Sequence, residues 1–140
     1  MDKQVIATDK APAAVGPYSQ AIRLGNLIFT AGQIGLVPGT KELAGPDSVT
    51  QARQALQNVK AILEEAGSCL EHVVKATVFL QDIKDYAQVN EVYAQFFTKD
   101  FPARSAVQVA ALPLGARVEI EVIAEACDCN GPEDCGCAGS

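Results

Sequence analysis

Over residues 117–126 apolar and polar residues alternate with a period of two. Val118, Ile120, Val122, Ala124 and Ala126 fall on one side; Arg117, Glu119, Glu121 and Glu125 fall on the other, with Ile123 the apolar exception. That period belongs to a strand. One wholly apolar face predicts a sheet packed on helices by that face, its other face meeting water or a second polar surface. Just upstream, Arg104 and Ser105 open another strand, and residues 113–116, Pro-Leu-Gly-Ala, read as the turn that joins the two. Pairing across such a turn brings Arg104 near the polar face, so that a guanidinium and two carboxylates share one surface.

The remaining pattern resolves into alternating element types. Residues 3–8 form a short strand candidate, and residues 11–17 a loop with two prolines and a glycine. Gly25-Asn26 is a two-residue turn signal between apolar runs, predicting a hairpin of 21–24 with 27–31. Residues 32–47, rich in Gly and Pro, read as one long loop, a length often tied to function. Ser48-Val49-Thr50-Gln51 has the form of a capping box. Behind it Ala52, Leu56, Val59 and Leu63 keep helical spacing until Gly67. The β-branched run 73–80 predicts a strand with neighbours on both sides. A second helix starts at Asp85, with Gln88 three residues on and Val89, Val92, Tyr93 and Phe96 as its stripe. The predicted order is strand, hairpin, helix, strand, helix, hairpin: an α+β domain with two helices on one face of a mixed sheet. No internal repeat stands out.

Composition changes this picture little. At 140 residues, 49% hydrophobic and 20% charged, the chain is sized for one globular domain. The net charge of −6, half of it from Asp128, Glu133 and Asp134, opposes a nucleic-acid surface, which needs clustered Lys and Arg. The first ten residues lack the apolar run of a signal peptide, and no run of about 18 apolar residues suggests a membrane span. The expectation is a cytoplasmic protein in a reducing compartment. A single histidine, His72, leaves a Ser-His-Asp triad or a multi-histidine zinc site without partners at a recognisable spacing.

Several residues admit two readings. Arg104 with Glu119 is either a cross-strand ion pair or a cation that holds an anionic substrate beside a carboxylate that handles water and protons. Glu121 is a solvated or interface carboxylate. Tyr18, just after Gly-Pro, is a turn tyrosine or a pocket wall. Asn90 is a mediocre helix former inside a helix and needs a reason, of which solvent exposure is the plainest. Gly32 permits a turn or lets a ligand approach the backbone. Composition shifts abruptly at Cys127, dividing a folded part, 1–126, from an acidic tail, 127–140, with Cys127-x-Cys129 and Cys135-x-Cys137. Four thiols so close can wrap a soft cation such as Zn²⁺ or Cu(I), close disulfides, or remain exposed on a free tail. Cys69-x-x-His72 offers two further ligand types, but a lone pair of this kind is weak.

The segments GPYSQA, FTAGQI, QARQALQNVKAIL, VNEVYAQFF, FPARSAVQVAALP and VEIEVIA, in this order and spacing, resemble the RidA (YjgF) family of reactive-intermediate deaminases across residues 1–126. The resemblance implies a chorismate-mutase-like α+β fold and a homotrimer with a cleft at each subunit interface. It implies hydrolysis of 2-imino acids and their enamine tautomers, among them 2-aminoacrylate, 2-iminobutanoate and 2-iminopropanoate, to 2-keto acids and ammonia. It requires no metal or organic cofactor. By the same resemblance Arg104 grips the substrate carboxylate, Glu119 positions the attacking water, Tyr18, Tyr86 and Asn90 line the pocket, and the Gly32 backbone contacts the ligand. Some members carry a cysteine where this chain has Ala106, so no thiol role applies there. The cysteine-rich tail lies beyond the family's usual length. Two other classes remain in view: a regulatory module that binds a keto or amino acid without turnover, and a ribonuclease, which the charge disfavours.

Overall fold

A computed structural model describes residues 2–127. Its elements run β1 (Gln4–Ile6), β2 (Ala21–Leu24), β3 (Leu27–Thr30), β4 (Gln33–Ile34), α1 (Ser48–Glu65), β5 (Val73–Leu80), α2 (Tyr86–Phe96), β6 (Ala103–Gln108) and β7 (Val118–Glu125). The strands form one mixed sheet in the order β1-β2-β3-β7-β5-β6, with β4 also pairing β7. Both helices cover one face. The expected α+β class and its layers are present.

The alternation along β7 does what it predicts. Val118, Ile120, Val122 and Ala124 are buried against α1, whose Leu56, Val59, Ile62 and Leu63 are fully buried in turn. Burial of each such side chain is worth roughly 1.5–3 kcal/mol, so this helix–sheet seam holds the domain together. The helix stops where Gly67 takes a φ of 85°, a conformation glycine enters without a Cβ clash.

The closing hairpin is corrected. β6 does not pair with β7. It lies parallel to β5, and β5 lies antiparallel to β7, so β5 stands between them. The cause is the helix between β5 and β6, because a strand–helix–strand unit returns the second strand parallel to the first. One edge of β5 is thereby taken, and β7 fills the other. The connection runs around the end of β5: Val109 N–H donates to Leu80 O at 2.9 Å, and Gln81 N–H to Arg117 O at 2.9 Å.

The caps of both helices are also corrected. Asp47, not Ser48, caps α1; its carboxylate accepts from the Thr50 N–H and hydroxyl, each at 2.9 Å. Those bonds, the backbone one foremost, hold its pKa below the ordinary carboxylate value. Ser48 is buried and donates to Gln88 Oε1 at 3.3 Å. Gln51 turns inward, donating to Gly45 O and accepting from Arg117 N–H. α2 begins where expected, but the Asp85 carboxylate makes no cap; it pairs with Arg117 at 2.7 Å.

The long loop at 32–47 is corrected in part, since Gln33 and Ile34 form β4 opposite Ile120 and Glu119, and Leu36 bridges Leu43. β3 and β4 are two pieces of one edge of β7, interrupted at Ala31 and Gly32. Across the gap the Thr30 hydroxyl serves β7 in place of backbone, accepting from Val122 N–H at 3.0 Å.

Candidate active site

Glu119 is the β7 residue whose side chain reaches the interruption at Gly32. Register places it opposite Ile34 on one side and Phe79 on the other, on the sheet face away from the helices. Its carboxyl packs directly on Gly32: a Cβ there would stand 2.7 Å from Glu119 Cδ. Glycine at 32 lets the carboxyl keep this place, because a side chain there would occupy the same space and displace it. Burial, and then the negative charge of Glu121, push the Glu119 pKa above the ordinary carboxylate value.

Around it lies a groove of about 260 Å³ lined by Tyr18, Gly32, Gln33, Ile34, Leu114 and Glu119, among others. The loop carrying Tyr18 is fixed by Gln20, a buried side chain absent from the sequence reading. Gln20 Nε2 donates to the carbonyls of Thr8, Ala11 and Pro12, and its Oε1 accepts from Thr8 N–H. Tyr18 itself is half exposed, its hydroxyl 3.4 Å from Val15 N. Leu114, also missed, holds a positive φ of 57° and a largely exposed side chain at the groove's rim. Its signal was weak, because a leucine between Pro and Gly looks like turn filler.

Arg104 is elsewhere. Its partner on β5 is Ala76, which is fully buried and itself opposite Val122, so Arg104 points to the helix face. The expectation that Arg104 shares the polar face with Glu119 and Glu121 fails within one chain, for the same reason that the hairpin fails. At the end of that face the guanidinium meets α2. Nη1 donates to Asn90 Oδ1 at 2.7 Å and Nη2 to Tyr86 Oη at 2.9 Å. The guanidinium carbon stands 4.7 Å from the Tyr93 ring centroid and 5.5 Å from that of Tyr86. Asn90, one helical turn from Tyr86, thus has its reason in the helix. The Asn90 side chain, and then the Arg104 charge, lower the Tyr86 pKa. Burial raises that of Tyr93, which Arg104 opposes. No carboxylate among the described residues lies within ion-pair distance of Arg104.

The structure therefore brings the six expected residues into two groups, Tyr18, Gly32 and Glu119 on the open face, and Tyr86, Asn90 and Arg104 at the β6–α2 edge. Of the tail thiols, Cys129, Cys135 and Cys137 lie outside the described residues. No helix among the described residues is long and apolar enough to cross a membrane.

Residues 8–126 match the family described as Endoribonuclease L-PSP. A RutC family protein of Pyrococcus abyssi is 52% identical over 124 residues, 89% of this chain and 98% of its own. A goat (Capra hircus) protein named 2-iminobutanoate/2-iminopropanoate deaminase is 52% identical over 122 residues, 87% of this chain and 89% of its own. Among solved structures, E. coli TdcF with bound serine superposes with a TM-score of 0.84 at 46% identity, covering 89% of this chain and 99% of that one.

Proposed function

The chain belongs to the endoribonuclease L-PSP family, the RidA (YjgF) group, and from that premise we propose that it hydrolyses 2-imino acids to 2-keto acids and ammonia. The substrates are small imines such as 2-iminopropanoate, formed when 2-aminoacrylate tautomerises, and 2-iminobutanoate. Water adds to the C=N carbon, the nitrogen takes up protons, and C–N cleavage releases ammonia and leaves a carbonyl.

One observation carries the reading. Among the described residues Arg104 is a guanidinium with neutral partners only, pre-aimed by Asn90 Oδ1 and Tyr86 Oη. A substrate carboxylate is the group it lacks, and a planar fork suits that group. Glu119, desolvated and with its pKa raised, suits the holding of a water and the exchange of protons at the imine nitrogen. Orientation is most of the task, since a protonated imine is already electrophilic.

Because the two groups sit on opposite faces of one sheet, the working cleft forms between neighbouring subunits, Arg104 from one and Glu119 from the next. A homotrimer supplies three such clefts. The open face supports this assembly. Val5, Ile22, Phe29 and Ile123 form one cross-strand apolar row on the side away from the helices, with Val5 65% and Phe29 38% exposed. A second chain covers such a row better than water does. A ribonuclease is less well supported. The same face carries Glu119, Glu121 and Glu125, the wrong sign for phosphates.

The test generates 2-aminoacrylate in situ from serine and a dehydratase, with a scavenger trapping free imine, and follows keto-acid release. Wild type accelerates release, whereas Arg104→Ala and Glu119→Gln each lose about a hundredfold or more in kcat/KM. The wild-type rate falls as acid protonates Glu119, beginning at a pH above the ordinary carboxylate range. Wild type no faster than buffer, with keto-acid binding intact, makes the protein a ligand-binding module instead.

A further inference from the structure

At the far end of β5 and β7 from Glu119, three soft or borderline donors from separate stretches of chain converge. Cys69 precedes the 3-10 turn Leu70–His72, His72 closes that turn, and Cys127 follows β7. The Sγ atoms of Cys69 and Cys127 and a ring nitrogen of His72 all lie within 4.8 Å of one another. Cys127 Sγ stands 3.7 Å from His72 Nδ1. Glu119 and this cluster are separated by six residues of β7, roughly 20 Å of strand, so the cluster does not belong to the half-site described above.

We propose that Cys69, His72 and Cys127 bind a borderline-soft d¹⁰ cation, zinc foremost. The donor set is that of a thiolate–imidazole zinc site. The spacing agrees as well. Zn–S bonds of about 2.3 Å and Zn–N bonds of about 2.0–2.1 Å, at tetrahedral angles, put sulfur and nitrogen about 3.6 Å apart and two sulfurs about 3.8 Å apart. The Cys127–His72 distance of 3.7 Å is already close to the first of these, and the 4.8 Å limit on the set exceeds the second by about one ångström.

The frame that holds the donors is rigid for reasons unrelated to metal. Cys127 N–H donates to Gly67 O at 2.8 Å, Ala126 N–H to Asn26 O at 2.8 Å, and the Ser68 hydroxyl to Glu125 O at 2.7 Å. These bonds fasten the end of β7 to the α1–β5 connection on which Cys69 and His72 sit. Cys69 is 5% exposed, a low-dielectric position that strengthens a metal–thiolate bond. Entry is open, since His72 lines a groove of about 420 Å³ together with Glu71, Asp100 and Glu125, whose carboxylates draw cations.

Cys69 is disulfide-bonded, so the ligand set is complete only after reduction. A dithiol reductant breaks the S–S bond with two electrons and two protons, is itself oxidised to its disulfide, and leaves Cys69 and the sulfur it was bonded to as two thiols. Zinc then displaces one proton from each of Cys69 and Cys127, and the two protons pass to buffer, so affinity rises with pH. Three protein ligands leave one tetrahedral position for a further donor.

The experiment uses the full chain, reduced with dithiothreitol and handled in chelator-treated buffer. Zn²⁺ is titrated against a competing chelator, and Co²⁺ serves as a spectroscopic substitute. The expected result is one zinc per chain and a Co²⁺ adduct with thiolate charge-transfer absorption. Cys69→Ser, His72→Gln and Cys127→Ser each weaken binding by more than about tenfold, the loss that even a change outside the ligand shell produces. A Cys129→Ser, Cys135→Ser, Cys137→Ser chain still takes up zinc. Because Cys69 is buried, circular dichroism confirms its variant's fold, and the half-buried His72 and Cys127 give independent readings. Binding that survives all three cluster substitutions but is lost with the tail substitutions overturns the proposal, as does a reduced wild type that takes up no zinc.

Discussion

The β6–α2 edge and the β3–β4–β7 groove handle charge in opposite ways. At the edge, a guanidinium is held by an amide oxygen, a phenol oxygen and an aromatic face, none of which neutralises it. In the groove, a carboxyl is pressed against Gly32 and biased by burial toward its protonated form. Under the proposed function, the first is a cation prepared for an anion and the second a carboxyl placed to exchange a proton. Neither arrangement makes sense as a stability device, because a stabilising pair would join them. Each half is built by its own local elements, α2 for the arginine and the strand interruption for the glutamate. The difference teaches that the two groups are separate on the chain, so that under the proposed function each is one half of a site that a second chain completes.

Subunit mixing breaks or sharpens that comparison most directly. Arg104→Ala and Glu119→Gln proteins, each nearly inactive, are unfolded together and refolded as a mixture. If every cleft takes Arg104 from one chain and Glu119 from the next, random pairing in a head-to-tail ring restores about a quarter of the clefts. The expected outcome is recovery to about a quarter of wild-type turnover, read by the imine assay. A mixture no more active than its parents would place both residues in a cleft made by one chain, against the faces assigned here.

A smaller effect, confined to one half, is expected from Gly32→Ala. The added Cβ overlaps Glu119 Cδ, Cγ and Oε1, at 2.7–3.0 Å. Those atoms belong to the movable end of a side chain, so the fold survives while the carboxyl is displaced by about an ångström. Misplacement on that scale costs about a hundredfold in rate. The loss falls on kcat, with KM little changed, because the Arg104 half is untouched. A KM effect of equal size would mean that the groove, and not the edge, sets substrate affinity.

Local chemistry was legible in the chain, and long-range order was not. The alternation along β7, the Gly25-Asn26 turn and the spacing of Ala52, Leu56, Val59 and Leu63 each encode their element within a few residues. Strand order is decided by competition for edges. Residues 103–108 and 118–125 look like hairpin partners by proximity in sequence, yet the helix at 86–96 commits β6 to a parallel place on β5 first. The face assigned to Arg104 followed from that error. The cap at Asp47 was obscured because Asp and Ser are both good caps and stand side by side; only the Ser48–Gln88 contact, 40 residues apart, decides between them. The buried roles of Gln20 and Gln51 were missed for a related reason. A buried glutamine that ties loop carbonyls has no pattern of its own. Cys69, His72 and Cys127 lie up to 58 positions apart, and nothing in their spacing announces that they meet.

The finest comparison concerns the arginine half alone and turns on Tyr93. Its ring lies under the Arg104 guanidinium and stacks at 4.5 Å on Phe97, whereas its buried hydroxyl has no hydrogen-bond partner among the described residues. Tyr93→Phe keeps the ring faces and removes an oxygen whose desolvation nothing offsets. A buried unsatisfied hydroxyl costs roughly 1–3 kcal/mol, so the variant should be at least as stable as wild type, with an unchanged or slightly higher thermal midpoint. Turnover should also be unchanged if the ring alone steadies Arg104. Lower stability in the assembled protein, with the activity of each cleft preserved, would point to a neighbouring chain as the hydroxyl's partner. A fall in kcat/KM without loss of stability would instead place that hydroxyl on the substrate, making the edge a binding surface of two residues where Arg104 now stands as the principal one.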